Sequence, residues 1–318
     1  MLRPTIALLL TATCLACAAP RPDLRWSVPE AGVTALYADA ERLFELRHGP
    51  GEDEPALHPL SLPGGPPLTA DRPADHPWHH GLWFAWKYVD GVNHWEHGPE
   101  GRPEGATSWN PPGLSIHEDG TAEVRMTLLY AGAGTTPLAE LRRLVAHPPG
   151  PDGTWALDWT STFFAQDEPV TLDRTPMPGE PDGKVWGGYG GLSLRLVQLE
   201  DRRLTSTEGP VTFSAQHRAR PTGPAMDYAG RVSPDADPTG VALLDHPDNP
   251  RRPRAWYAIR SDAMSFLTPA VLAPAPLVVE PEDPLVLRWR LLVHPGAWDP
   301  ARLASEHERY AAGLPPSP

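Results

Sequence analysis

The stretch Asp75–Glu96, DHPWHHGLWFAWKYVDGVNHWE, decides how this chain is read. Leu82–Val89 is rich in aromatic and apolar residues and reads as a strand. Asp90-Gly91 follows, a pair that tolerates the positive φ angles of a type I′ turn, and Val92–Glu96 is then the returning strand. A two-residue loop sets Val89 opposite Val92, Lys87 opposite His94 and Ala85 opposite Glu96, and directly opposed residues share a face. One face carries His80, Leu82, Phe84, Trp86, Tyr88, Asn93 and Trp95 and has the character of core. The other carries His79, Trp83, Ala85, Lys87, His94 and Glu96. It is polar and titratable, which makes it the first candidate for a site. The window His76–Trp109 holds five of the 13 histidines and five of the 12 tryptophans. Any one of these imidazoles can be a packed, hydrogen-bonded residue without chemistry; it is their concentration that points to recognition.

Working outward, the 318 residues suffice for one large β domain or two smaller ones. The 42 prolines and 28 glycines are dispersed among apolar runs, which argues for short strands joined by turns. Strand patterns recur over Val33–Arg47, Glu123–Tyr130, Leu138–Ala146, Trp155–Ala165, Val170–Leu172, Leu192–Leu199, Thr205–Thr207, Val211–Phe213, Met226–Val232, Val241–Leu244, Ala255–Arg260 and Leu285–Val293. Gly49–Pro73 is turn-rich and reads as a loop. Trp186–Gly191 (WGGYGG) lacks a phosphate-binding fingerprint and is followed by a strand. It reads as a bulge or tight bend, or as backbone that approaches a ligand. Asp299-Pro300 is a helix start, with Asp as N-cap and Pro at the first helical position, leading into Ala301–Ala312. The expectation is one all-β domain over residues 22–318 with a short C-terminal helix.

The formal net charge of −13 excludes the broad basic surface of a nucleic-acid binder. The basic pairs Arg142-Arg143, Arg202-Arg203 and Arg251-Arg252 read as solvated strand ends. Lys87 and Lys184 are the only lysines, and both cysteines, Cys14 and Cys17, lie near the start. The rest of the chain therefore has neither a thiol nucleophile nor a cysteine metal site. Residues 1–19 read as an export signal: Arg3, then the apolar run Ile6–Leu10, then Cys14-Leu15-Ala16-Cys17. The last is similar to a lipoprotein box with Cys17 bearing the lipid; cleavage near Ala18-Ala19 is the alternative. The expected location is outside the cytoplasm, periplasmic or tethered to the outer membrane, with a lipid anchor the only membrane contact.

The central stretch, with MDYAG (Met226–Gly230), GVALLDHPDNPRRPRAWY (Gly240–Tyr257) and LRWRLLVHPG (Leu287–Gly296), resembles an uncharacterised bacterial family often labelled PmoA or methane oxygenase PmoA. The resemblance covers most of the chain after the signal. It implies an antiparallel β-supersandwich of the galactose-mutarotase type and a carbohydrate role. It does not imply methane oxidation, because a membrane oxygenase subunit needs several apolar helices. One internal echo stands out: Asp75-His76-Pro77 recurs as Asp245-His246-Pro247.

Three chemistries follow. In a carbohydrate-active enzyme of epimerase, lyase or hydrolase type, tryptophans stack on the sugar face, while histidine and carboxylate groups move protons near neutral pH. Its catalytic candidates are His79, His94, Glu96, Asp245 and His246. Its ligand contacts are His76, His80, Trp83, Lys87, Asn249 and His294. The second chemistry is a surface lipoprotein that binds a sugar, or another small polar ligand, without turnover. In the third, imidazoles from His76, His79 and His80, with His94, His246 and His294 as further candidates, hold a divalent metal such as zinc or copper. Adjacent strand residues point to opposite faces, so His79 and His80 would share an ion only across irregular backbone. No cofactor is otherwise called for.

Overall fold

The computed structural model describes residues 21–132 and 134–317, so the expected export signal and Cys17 lie outside the described residues. Two large antiparallel sheets pack face to face. The nine-stranded sheet runs Leu24–Glu30, Val33–Ala38, Glu41–Arg47, Ala56–Leu60, Leu82–Ala85, Gly191–Leu196, Met264–Pro269, Trp256–Ser261 and Arg218–Ala219. The ten-stranded sheet runs Gly209–Pro210, Glu200–Ser206, Ala225–Arg231, Thr239–Asp245, Leu285–Pro295, Trp155–Ala165, Thr135–His147, Ala122–Gly132 and Ala106–Trp109, with Gly113–Ile116 also on Ala122–Gly132. A small third sheet joins Leu277–Val279, Val170–Asp173, Tyr88–Val89 and Val92–Asn93. This is the antiparallel β-supersandwich that the family resemblance implied.

Side-chain alternation explains the layers. Trp155, Leu157, Trp159 and Phe163 on one strand, and Leu287, Trp289, Leu291 and Val293 on its neighbour, all enter the core between the sheets. Leu82 and Phe84 meet them from the opposite sheet. Each such side chain, fully buried, contributes about 1.5–3 kcal/mol relative to exposure. The helix Pro300–Ala311 begins as expected, with the Asp299 side chain accepting from the Arg302 amide at 2.8 Å. Through Leu303 and Tyr310 it covers the outer face of the ten-stranded sheet. None of the described helices is long and apolar enough to cross a membrane.

Three expectations are corrected. Gly49–Pro73 is not all loop: Ala56–Leu60 is a strand. Its Pro59 sits where the register with Glu41–Arg47 slips, between the Leu46–Leu57 and Phe44–Leu60 pairs, so no ladder amide is needed from it. Val211–Phe213 lies outside the strands, which end there at Pro210. Arg142 is not a solvated strand end: only 2% exposed, it faces the core and pairs with Glu140 at 2.7 Å.

Candidate functional site

The outward face of the nine-stranded sheet is built by the same alternation. In Gly191–Leu196 the leucines at 192, 194 and 196 enter the core, which turns Ser193 and Arg195 outward. Register then pairs Arg195 with Phe266, Phe266 with Ile259, and Ile259 with Arg218. One row across four strands therefore reads Arg-Phe-Ile-Arg. Trp83, Tyr257 and Met264 share this outward face and form a second apolar cluster with Trp95 and Tyr189.

Loops roof this face and leave a cavity of about 590 Å³. The segment Asp75–His79 supplies Asp75, His76, Trp78 and His79; Trp95 and Glu96 follow the central hairpin; Trp186 and Tyr189 come from the glycine-rich segment. That segment is indeed a close approach. A Cβ on Gly187 would lie 1.9 Å from the Pro176 carbonyl oxygen, so only glycine fits there. The tight-bend reading is thus the one the backbone bears out, and the segment also sets Trp186 and Tyr189 on the cavity wall.

The polar groups form two sets. In the first, Arg195 Nη2 donates to both oxygens of Asp75 at 2.9 Å, and His76 Nδ1 lies 3.0 Å from Asp75 Oδ2. Burial works against the Asp75 charge, but Arg195 and His76 outweigh it and hold the carboxyl below its ordinary range. His79 packs under His76, ring centroids 4.7 Å apart, with its Nδ1 3.4 Å from Arg195 Nη1. A guanidinium only donates, so Nδ1 of His79 is the acceptor and the imidazole is neutral. Burial, reinforced by His76 and Arg195, pushes its pKa well down. In the second set, Glu96 Oε2 takes an ion pair from Lys87 Nζ at 2.9 Å, and Tyr189 donates its hydroxyl to Glu96 Oε1. Burial lowers the Lys87 pKa, against the pull of Glu96, and raises that of Tyr189.

Of the catalytic candidates, His79 and Glu96 line this cavity, and of the expected contacts His76 does. Trp83 and Lys87 lie beneath the lining, fully buried. His94 parts from Glu96. The Asp90-Gly91 turn forms as expected, with φ of 50° and 80°, and Val89 faces Val92. The strand then ends at Asn93, whose side-chain oxygen captures the Trp95 and Glu96 amides at 3.0 and 3.1 Å. The chain turns, alternation is lost, and Trp95 crosses to the cavity side. His94 instead packs edge-on against Tyr130, ring centroids 5.6 Å apart.

The other candidates stand elsewhere. His80 is buried, with Nδ1 3.2 Å from Asp71 and Nε2 3.7 Å from Asp53. Burial opposes its charge, yet the two carboxylates push it up to about 9. Asp245 pairs with Arg254 at 2.9 Å and accepts from Asn249 at 2.8 Å, at the end of a strand of the ten-stranded sheet. His246 lies against Tyr310 of the helix, and His294 is sealed between Asp227, at 2.9 Å, and Trp298. The two Asp-His-Pro segments therefore do not meet in one pocket. Nor do three imidazoles converge at His76–His80: among the described residues no three His, Cys, Asp or Glu side chains group to hold a metal ion.

Sequence reasoning missed Arg195, Arg218, Tyr189 and Tyr257. A signal was present for Arg195, a lone arginine within the alternation of LSLRL. Arg218 reaches the site through its bond to the Tyr257 hydroxyl, 2.9 Å, a partnership that register alone creates.

The fold is similar to that of the GH36 α-galactosidase AgaB from Geobacillus stearothermophilus, with a TM-score of 0.51 at 7% identity over 93% of this chain and 44% of that one. A GH36 α-galactosidase AgaA variant from the same organism, in complex with raffinose, gives 0.46 at 7% identity, over 94% of this chain and 44% of that one. The α-galactosidase from Lactobacillus brevis gives 0.44 at 8% identity, over 92% and 41%. This chain spans less than half the length of each. No curated protein sequence matches it. Residues 34–308 match a family described only as of unknown function, DUF6807, a match that does not extend to the PmoA label. The chain belongs to the DUF6807 family.

Proposed function

We propose that the cavity over the nine-stranded sheet binds a sugar ring or small glycoside and carries out acid–base chemistry on it. One observation carries this reading: an aromatic-walled cavity of about 590 Å³ into which His76, braced by Asp75 and Arg195, and Glu96, braced by Lys87 and Tyr189, both open. Sugars present apolar C–H faces and a rim of hydroxyls, which such walls and such groups complement. His76 is the proton-transfer imidazole, because it is the more exposed ring and has a carboxylate partner. Glu96 is the facing carboxylate. Buried, neutral His79 serves as a hydrogen-bonding neighbour. The likeness to α-galactosidases adds only that the fold is known among proteins named for sugar chemistry.

A second reading, binding without turnover, draws on the engagement of both Glu96 oxygens by Lys87 and Tyr189, which ties up the facing carboxylate. Export and lipid tethering at Cys17 complete the proposal, with the ligand met outside the cytoplasm. A panel of free sugars and glycosides, scored by NMR for both ligand shifts and new products, tests both readings. Product formation lost in His76→Ala and Glu96→Gln supports the enzyme. Shifts without product support the binding protein. Neither shifts nor product at millimolar sugar ends the carbohydrate reading.

A further inference from the structure

A second cleft opens on the other side of Asn93, about 900 Å³ in volume, sharing no lining residue with the first. Its walls carry Glu52, Asp53, Glu54, His94, Glu100 and Glu104. Most of this charge is already matched. Glu52 pairs with Arg72 at 2.7 Å, Asp53 with His97 at 2.7 Å, and Glu100 with Arg102 at 2.9 Å. Glu54 is the exception. It is 3% exposed and lines the cleft, yet its carboxyl has neither an ion pair nor a hydrogen bond among the described residues. His94, also on the lining, is 2% exposed, and its Nδ1 has no partner among the described residues.

Buried polar groups without partners are costly, by about 1–3 kcal/mol each and more when charged. Two on one cleft call for a ligand. Its chemistry follows from what the cleft offers. A small metal ion needs several converging ligands, and the described residues hold no such grouping. A primary ammonium needs only acceptors; it presents three N–H donors and matches a lone buried carboxylate with charge-assisted bonds. The volume leaves room for a chain long enough to reach the rim carboxylate Glu104, which also has no ion pair among the described residues.

We infer that this cleft binds a small organic ammonium, a primary amine or diamine, with one nitrogen on Glu54 and its second charge toward Glu104. Burial, helped by the Asp53 carboxylate, pushes the Glu54 carboxyl up to about 8, against the more distant charges of His80, Arg142 and Arg72, none of which bonds to it among the described residues. Amine binding near pH 7 therefore ionises it, and the proton leaves to buffer.

The test is calorimetric titration of the purified protein with putrescine at pH 7, in two buffers of different ionisation enthalpy, with butane-1,4-diol as the uncharged isostere. Putrescine binds with release of up to one proton, and the diol binds at least tenfold more weakly. Glu54→Gln weakens putrescine at least tenfold and abolishes the proton release, with its thermal midpoint as the folding control. Glu104→Gln, at an exposed position, weakens putrescine several-fold and keeps the release. Undetectable putrescine binding at millimolar concentration, equal affinity for the diol, or unchanged affinity in both variants overturns the inference. Displacement of putrescine by equimolar calcium also overturns it, in favour of a metal site.

Discussion

The two Asp-His-Pro segments are the same three residues put to opposite uses. Asp75-His76-Pro77 lies on a loop over the nine-stranded sheet, with His76 about a third exposed and open to the aromatic cavity. Asp245-His246-Pro247 ends a strand of the ten-stranded sheet, where Arg254, Asn249 and the C-terminal helix close over it. His307 of that helix donates to the Asp245 carbonyl at 3.0 Å. Asp75 is held below its ordinary pKa by Arg195 and His76, whereas burial outweighs Arg254 and raises that of Asp245. The lesson is that a short motif takes its chemistry from what covers it.

The comparison breaks most visibly if the buried pair is cut. Arg254→Met leaves Asp245 without its counter-charge in a nearly dry interior, with only the Asn249 amide still donating to it. It should cost about 3–5 kcal/mol by urea unfolding, while surviving protein keeps its sugar affinity. Lost affinity at unchanged stability would make the second segment part of the site after all.

Next come the histidines. His76→Ala should reduce turnover by about 10²–10⁴-fold, the usual worth of a general acid or base, with little change in melting temperature. His246→Ala should do the reverse, costing on the order of 1 kcal/mol through its contact with Tyr310 and leaving turnover as it was.

A pH series sharpens the contrast in sign. The stabilising contribution of Asp75 is present above the ordinary aspartate pKa and is lost as pH falls through its depressed folded value. That of Asp245 is present below the ordinary value and is lost as pH rises through its raised folded one. Against the wild-type stability curve, Asp75→Asn should therefore remove an acid-side loss, and Asp245→Asn a loss on the rising side. Curves that change alike would refute the assignment of either partner set.

The smallest effect is expected at Trp186. Its replacement by Ala should weaken sugar binding about tenfold, one stacking contact, without shifting the unfolding midpoint.

Much of this was legible in the sequence. The Asp90-Gly91 turn, the Val89–Val92 pairing, the inward Leu82 and Phe84 with outward Trp83, and the Asp299-Pro300 helix start all follow from local rules. The reading failed where one side chain overruled the pattern. The Asn93 side chain accepts from the Trp95 and Glu96 amides, which no alternation rule anticipates, so His94 and Trp95 exchanged places. It also failed where partners come from afar: Asp75 with Arg195, 120 residues on, or Tyr189 with Glu96 across 93. Register among strands 218–219, 256–261 and 264–269 builds the row Arg195-Phe266-Ile259-Arg218, and the last of those strands gave no distinct signal of its own.

The glycine-rich segment has one more consequence. Its backbone is tied to the chain that leads into it: the Lys184 and Gly188 amides donate to the Pro176 and Thr175 carbonyls at 3.0 and 2.9 Å, and Gly187 to Lys184 at 2.9 Å. Trp186 is thus 45% solvent-exposed on a brace that is already assembled. A ligand arriving there has little chain to immobilise, so its affinity is spared the ordering entropy of a floppy lid, and its arrival rate should follow diffusion and fit, with no gate to wait for.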